Sequence, residues 1–349
     1  MKFNGAVLTE LGRPLELAEL SVSGSLQAGQ VLVRVLYSGV CGSQLGEIDG
    51  RKGPDRFLPH LMGHEAVGTV VEVGPLVASV VEGDTVVLHW MKGAGLEAPP
   101  ASYLWDGRRV NGGWVTTFSE MTVVSENRLT KIITTADPVV LTLLGCAATT
   151  ALGVVTTDAA VRLGESVVVM GSGGIGLLVV QALRASGAVP IVSYDIVEPR
   201  LKQAERMGAH RSVLGPMVDI VAGVHEALGG VRPDVVIETT GSRQVIEASI
   251  ELVKHGGRAV LVGVPRANDP IRLDSLPLHF GTEVRGSMGG GSSPATDIPR
   301  LVKLLEGRVL RLEELPTTLV PLAAVNEGIQ SLRDGMVGRL VLDMGGEGL

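Results

Sequence analysis

The sequence predicts an α/β protein in two parts: a β-rich part, then a part built on a parallel sheet, with a closing segment that returns to the first. Three observations carry this. Up to about residue 150 the chain is a succession of short β-like runs broken by Gly, Pro and Asp. After Ala151 the pattern changes to strand, glycine turn and helix, the alternation that builds parallel sheets. The length of 349 residues also exceeds what one hydrophobic core usually organises.

Taken in order, Val31 to Tyr37, Ala66 to Val73 and Thr85 to His89 read as strands of the first part. Between Met91 and Trp114 the periodicity fails, and an irregular lobe or long loop is expected. Ser166 to Met170 is β-like, Ile175 to Ser186 helical and Pro190 to Tyr194 β-like again. Asp234 to Glu238, a helix over Gln244 to Lys254 and Arg258 to Val262 continue the alternation, which gives way near Gly286. Beyond lie helices over Asp297 to Glu306 and around Val325 to Arg333, and a last strand from Arg339 to Asp343. The expected division is therefore 1–150, 151–288 and a return segment 289–349.

Composition narrows the function classes. A net charge of −7 disfavours binding nucleic acid through its phosphates. The two cysteines, Cys41 and Cys146, are too few for a secreted disulfide framework and suit a reducing compartment. The amino terminus lacks the apolar run of a signal peptide, and no stretch approaches the roughly 20 apolar residues of a membrane span. A soluble, cytoplasmic protein without nucleic-acid or membrane partners is expected.

Gly171, Gly173, Gly174 and Gly176, with Ile175, form Gly-Ser-Gly-Gly-Ile-Gly between a β-like run and a helical one, the context of a dinucleotide-binding turn. One glycine allows the tight turn, another lets backbone approach the pyrophosphate, and the third lets helix and strand pack, while the helix N-terminus offers NH groups. Asp195 follows the next β-like run by one residue, about 20 residues on from the glycine turn, where a carboxylate accepts hydrogen bonds from the adenosine ribose and repels a 2′-phosphate. NAD is thereby favoured over NADP. Arg200 stands five residues later, either near the adenosine or as a solvated cation. Val262, at the end of its β-like run, completes the cofactor-binding set.

Cys41, His64 and Cys146 are far apart in sequence. Two thiolates and an imidazole suit tetrahedral zinc with one position open for water or substrate. Spacing alone leaves buried or disulfide-paired cysteines as the other reading.

Three segments carry a resemblance: Ser38-Gly-Val-Cys-Gly-Ser43, Gly63-His-Glu65 and Leu144-Gly-Cys-Ala147. In order and context they resemble the zinc-dependent alcohol dehydrogenases of the medium-chain dehydrogenase/reductase superfamily, over nearly the whole chain. The resemblance implies a GroES-like catalytic domain interrupted by a Rossmann domain. It also implies a catalytic zinc on Cys41, His64 and Cys146, with Glu65 either approaching the metal or serving as an ion-paired neighbour. Ser43 matches the hydroxyl residue that passes on the substrate proton, and Thr150 and Ile175 fall near the nicotinamide or pack. Arg339 matches an arginine that reaches the cofactor pyrophosphate, against a surface salt bridge as the other role.

The implied activity is hydride transfer between a primary or secondary alcohol, aromatic and cyclic ones included, and NAD, by a homodimer or homotetramer. An enzyme of polyols, sugars or cyclitols and a catalytically silent NAD(H)-binding homologue are the alternatives. Residues 91–114 hold none of the four cysteines that bind a structural zinc in many relatives, so one zinc per chain is expected. Gln44 stands where many relatives have an aspartate that orients the zinc-bound histidine, Gly46 where some have a relay histidine, and Gly42 where some have a basic residue. His89, Trp90, Trp105 and Trp114 are expected around the substrate pocket, with packing as the alternative for the tryptophans. Lys92, Arg108 and Arg109 raise an anionic substrate as a further alternative.

Overall fold

A computed structural model describes residues 1–22, 24–216, 219–335 and 338–345. The chain divides into two compact units. One comprises Met1–Cys146, Ser293–Glu306 and the chain from Pro316 onward; the other comprises Ala147–Ser292 and Gly307–Leu315. The last four residues of the return segment lie outside the described residues.

The first unit is a closed barrel beside a larger sheet. The barrel runs through Lys2–Leu8, Glu16–Ser21, Ser102–Trp105, Arg108–Asn111 and His60–Leu61. The sheet orders Leu129–Lys131, Thr85–His89, Glu65–Val73, Gln30–Val40, Arg339–Asp343 and Thr317–Pro321, with Met121–Ser125 also pairing with Gln30–Val40. Gln30–Val40 is buried on both faces because its apolar residues alternate. Val31, Val33 and Val35 join one core cluster with Leu88 and Leu340, while Leu32 joins another with Phe3 and Tyr103. Helix Val325–Arg333 closes the first cluster with Val325 and Ile329.

The expectation of an irregular lobe over 91–114 holds over 91–101 and is corrected over 102–111. Ser102–Trp105 and Arg108–Asn111 pair antiparallel around Asp106 and Gly107, whose φ values of 47° and 80° suit the two-residue turn that matches strand twist. Tyr103 opposes Val110 across the pair, and both are fully buried.

The second unit holds six parallel strands in the spatial order Arg211–Leu214, Ile191–Asp195, Val167–Met170, Val235–Glu238, Arg258–Leu261, Glu283–Gly286. The first strand in sequence lies at the middle, so the order reverses beside it. Ligands of doubly wound sheets bind at that switch point, beyond the carboxyl ends of the strands. Val167–Met170 is buried throughout, as expected of a central strand covered on both faces. Gln181 on helix Gly174–Ala185 exchanges two hydrogen bonds with the backbone of Arg311, fixing Gly307–Leu315 to this unit.

Candidate functional site

The first site lies in the first unit and is assembled by strand pairing. Gln30–Val40 runs antiparallel to Glu65–Val73 with Ser38 opposite Ala66, so the chain leaving one strand at Cys41 meets the chain entering the other at His64. Cys146 arrives from the short helix Thr142–Gly145. That helix crosses the sheet closely because Gly145 has no Cβ: an added one would lie 2.2 Å from the Leu88 carbonyl and 3.0 Å from the Glu65 Cα. The ligand-type atoms of Cys41, His64 and Cys146 all fall within 4.8 Å of one another. Zinc bond lengths and tetrahedral angles call for about 3.6–3.8 Å between such donors, so the set fits a zinc ion with little adjustment.

The electrostatics also suit a cation. The hydrogen bond from the Cys146 thiol holds Cys41 well below the ordinary thiol range, against the effect of burial, and His64 and Arg339 act in the same direction. Cys146, as donor of that bond and buried, is pushed well up, so the two sulfurs share one proton. Burial opposes a charge on His64, but the Cys41 thiolate, Glu65 and Glu47 outweigh it and raise its pKa. A metal ion would take over the role of the shared proton and let both thiols ionise.

Around this cluster, Ser43 Oγ donates to Cys41 Sγ at 3.3 Å. Gln44 Oε1 accepts from the Cys41 backbone NH at 2.8 Å, while its Nε2 is buried without a hydrogen-bond partner. Gln44 therefore braces the backbone of the first ligand. Glu65 and Arg339 form a buried ion pair, Nη2 to Oε1 at 2.5 Å. The Glu65 carboxyl lies against Gly39, where an added Cβ would approach it to 2.7 Å. Burial would lower the Arg339 pKa, but Glu65 and the two sulfurs raise it, and its Nε is buried without an acceptor.

Of the aromatic set expected around a pocket, His89 is corrected. It is fully buried, with Nδ1 at 2.8 Å from the Met91 carbonyl and Nε2 at 2.9 Å from Thr130 Oγ1, so it meets packed protein instead of open space. Burial lowers its pKa to about 4, which keeps it neutral. Trp90 and Trp105 pack against core clusters, whereas Trp114 is exposed beneath the Arg128 guanidinium.

The second site lies at the carboxyl ends of the strands of the second unit. Gly171 has φ +99°, which its turn requires. At Gly176 an added Cβ would lie 1.9 Å from the Gly171 carbonyl, so close strand-to-helix packing depends on its absence. At Gly173, the N-cap of helix Gly174–Ala185, an added Cβ would meet nothing, which leaves the helix N-terminus open to an incoming anion. Gly174 and Ile175 open that helix and are half-buried. The Asp195 carboxylate accepts from the backbone NH of Ser172 at 2.7 Å and of Val197 at 2.9 Å, and Arg200 approaches it at 3.9 Å. Val262 donates its backbone NH to the Glu238 carbonyl, and Thr150 is half-buried on helix Ala147–Gly153.

Residues 27–134 match the alcohol dehydrogenase GroES-like domain family, and residues 174–307 match the zinc-binding dehydrogenase family. An S-(hydroxymethyl)glutathione dehydrogenase of Synechocystis sp. is 31% identical over 98% of this chain and 100% of its own. The solved alcohol dehydrogenase zinc-binding domain protein of Burkholderia ambifaria superposes with a TM-score of 0.87 at 27% identity, over 99% of this chain and all of that one. Benzyl alcohol dehydrogenase from Acinetobacter calcoaceticus shares the fold, with a TM-score of 0.88 at 24% identity over the same shares. With both domain families matched in order and relatives aligned end to end, the chain belongs to the zinc-dependent alcohol dehydrogenases of the medium-chain dehydrogenase/reductase superfamily, NAD-linked oxidoreductases of alcohols.

Proposed function

We propose that the chain binds one zinc ion, on Cys41, His64 and Cys146, and uses it with NAD to interconvert a small alcohol and its carbonyl product. The convergence of two thiols that share a proton with an imidazole beside them carries this reading. A zinc ion held there supplies Lewis-acid polarisation of the substrate oxygen. Absence of any cysteine from 91–114 supports the count of one.

Ser43 is the proposed proton relay: its oxygen lone pairs can accept the hydrogen of a substrate hydroxyl as its own hydrogen, now directed at Cys41 Sγ, swings away and passes onward. Gly46 offers no side chain for a further relay, so the proton leaves by another group or by water. Glu65, paired with Arg339, holds negative charge next to His64 and is the proposed partner that tunes the ligand set. Arg339 retains the proposed role of a pyrophosphate donor, supported by its buried Nε without an acceptor.

NAD supplies the hydride acceptor. Gly171, Gly173, Gly174 and Gly176 are proposed to cradle its pyrophosphate, and Thr150, Ile175 and Val262 to flank its nicotinamide half. Asp195, fixed by two backbone NH groups, has lone pairs left for the ribose hydroxyls and repels a 2′-phosphate. Arg200, 3.9 Å from Asp195, partly offsets that preference without reversing it. The division at about 150 and 288 into catalytic, NAD-binding and return segments is supported by the two compact units, with Gly307–Leu315 joined to the second. A homodimer, alone or paired into a tetramer, is supported by the edge strand Glu283–Gly286 and the exposed Leu276 and Phe280 nearby. Cys41 and Cys146, both in the reduced thiol form, suit a cytoplasmic setting. Among the described residues no single helix is long and apolar enough to cross a membrane.

The test is a panel of aliphatic, aromatic, cyclic and sugar alcohols assayed with NAD and with NADP. Activity on a simple aromatic or cyclic alcohol with a higher kcat/KM for NAD is expected. Turnover confined to sugar alcohols or polyols, or a preference for NADP, overturns the substrate or the cofactor assignment respectively.

A further inference from the structure

We propose that Glu47, Asp55 and His60 form a second divalent-cation site on the first unit, separate from the Cys41, His64 and Cys146 cluster. Glu47 lies near the end of helix Gly42–Ile48, Asp55 lies in the loop that follows, and His60 opens the strand His60–Leu61. One ligand-type atom from each falls within 4.8 Å of the others.

The imidazole is oriented by the backbone. The His60 ring is buried, and Nδ1 lies 2.8 Å from the Leu61 carbonyl, which only accepts, so Nδ1 carries the hydrogen. Nε2 then faces Asp55 Oδ2 at 3.0 Å, a hydrogen-bond distance, and Glu47 Oε1 at 4.0 Å, so a cation bound there would replace the hydrogen between the ring and Asp55. Fixing one ring nitrogen by a backbone carbonyl is also how metal-ligating histidines are commonly oriented. Asp55 is pre-positioned as well: its Oδ1 accepts from the Phe57 backbone NH at 2.8 Å, which turns Oδ2 toward the ring.

The two carboxylates give the cluster the charge that a divalent ion balances. Among the described residues no lysine or arginine pairs with Glu47 or Asp55, and nearby Arg51 is drawn to Asp49 at 3.1 Å. A divalent cation among the three groups would balance both carboxylates.

The spacing agrees. Metal–ligand bonds near 2.1 Å place tetrahedral N and O donors about 3.4 Å apart, between the two separations observed. One nitrogen and carboxylate oxygens suit Mn2+ or Zn2+, whereas the two sulfurs of the other cluster select zinc. Glu47 is 39% exposed, so the ion is reachable from water and completes its coordination with water. A cation here would clasp the loop onto the helix Gly42–Ile48, which Cys41 caps and which carries Ser43.

The experiment titrates zinc-loaded protein with Mn2+, following free Mn2+ by electron paramagnetic resonance and zinc retained by elemental analysis. One Mn2+ bound per chain with zinc undisturbed is expected, and Asp55→Asn and His60→Gln should each weaken Mn2+ binding at least tenfold at unchanged zinc content. Glu47→Gln, at the solvent side of the cluster, provides the same test if the buried variants fail to fold. No Mn2+ bound up to millimolar concentration, equal binding by the variants, or Mn2+ bound only as zinc departs would each overturn the proposal. Persistence of a His60 Nε2–H resonance in metal-saturated protein would likewise show a proton in the cation's place.

Discussion

The ion pair between Glu65 and Arg339 joins the strand that follows His64 to the strand Arg339–Asp343, and its removal has a calculable cost. Both side chains are nearly inaccessible, at 0% and 6% exposure, so neither charge is hydrated once its partner is lost. Replacing Arg339 by Met keeps most of the volume but leaves the Glu65 carboxylate buried near the sulfurs of Cys41 and Cys146. Breaking a buried pair on one side costs about 3–5 kcal/mol. With a denaturant slope of about 3 kcal/mol per molar urea, the unfolding midpoint falls by about 1 M or more. Adding Glu65→Gln removes the stranded charge and should recover at least half of the loss, the non-additive signature of a coupled pair. The assay is urea unfolding followed by tryptophan fluorescence. All three tryptophans, Trp90, Trp105 and Trp114, lie in the first unit, so the signal reports that unit. A loss below about 1 kcal/mol for Arg339→Met, or a double variant no better than the sum of the singles, would refute the account of this pair.

Two further outcomes follow from the glycine turn and from His89. Gly173→Ala should leave thermal stability unchanged but weaken NADH binding at least tenfold by fluorescence titration, because its new Cβ meets no protein atom and occupies the space open to the cofactor. Gly176→Ala, whose Cβ would collide with the Gly171 carbonyl, should lower the stability of the second unit as well; wild-type NADH affinity in Gly173→Ala would contradict the cradle. His89 has its pKa lowered by burial from 6.5 to about 4. Between those values the unfolded chain binds a proton that the folded chain refuses, so stability falls as pH drops from about 6.5 to about 4, by about 3 kcal/mol at most. His89→Gln should flatten that slope relative to the wild type in urea titrations at successive pH values, and an unchanged slope would remove His89 as its source.

Strands with clean apolar patterns were legible in the sequence. Thr85–His89 and Arg339–Asp343 lie where alternating or continuous Val and Leu placed them, and the glycine turn lies between strand and helix as its context required. The hairpin over 102–111 was obscured because Arg108 and Arg109 interrupt the alternation, although Asp106-Gly107 was a usable turn signal. Helix Glu198–Met207 escaped notice for a similar reason: only Leu201, Ala204 and Met207 face the core in an otherwise charged segment. The metal cluster itself has no local signature. Cys41 and His64 meet through the register that sets Ser38 opposite Ala66, and Cys146 through the missing Cβ of Gly145. Such proximity arises from tertiary pairing, so in the sequence it was visible only through resemblance. The burial of His89 was invisible for the same reason, since its partners Met91 and Thr130 come from a turn and a neighbouring strand.

The most direct test of the central claim is zinc content and NAD-linked activity of the purified protein beside its Cys146→Ser variant. The account predicts one tightly bound zinc per chain at the cluster of Cys41, His64 and Cys146, lost together with activity in the variant. Protein that oxidises alcohols without zinc, or a Cys146→Ser variant that keeps both its zinc and its activity, would contradict it.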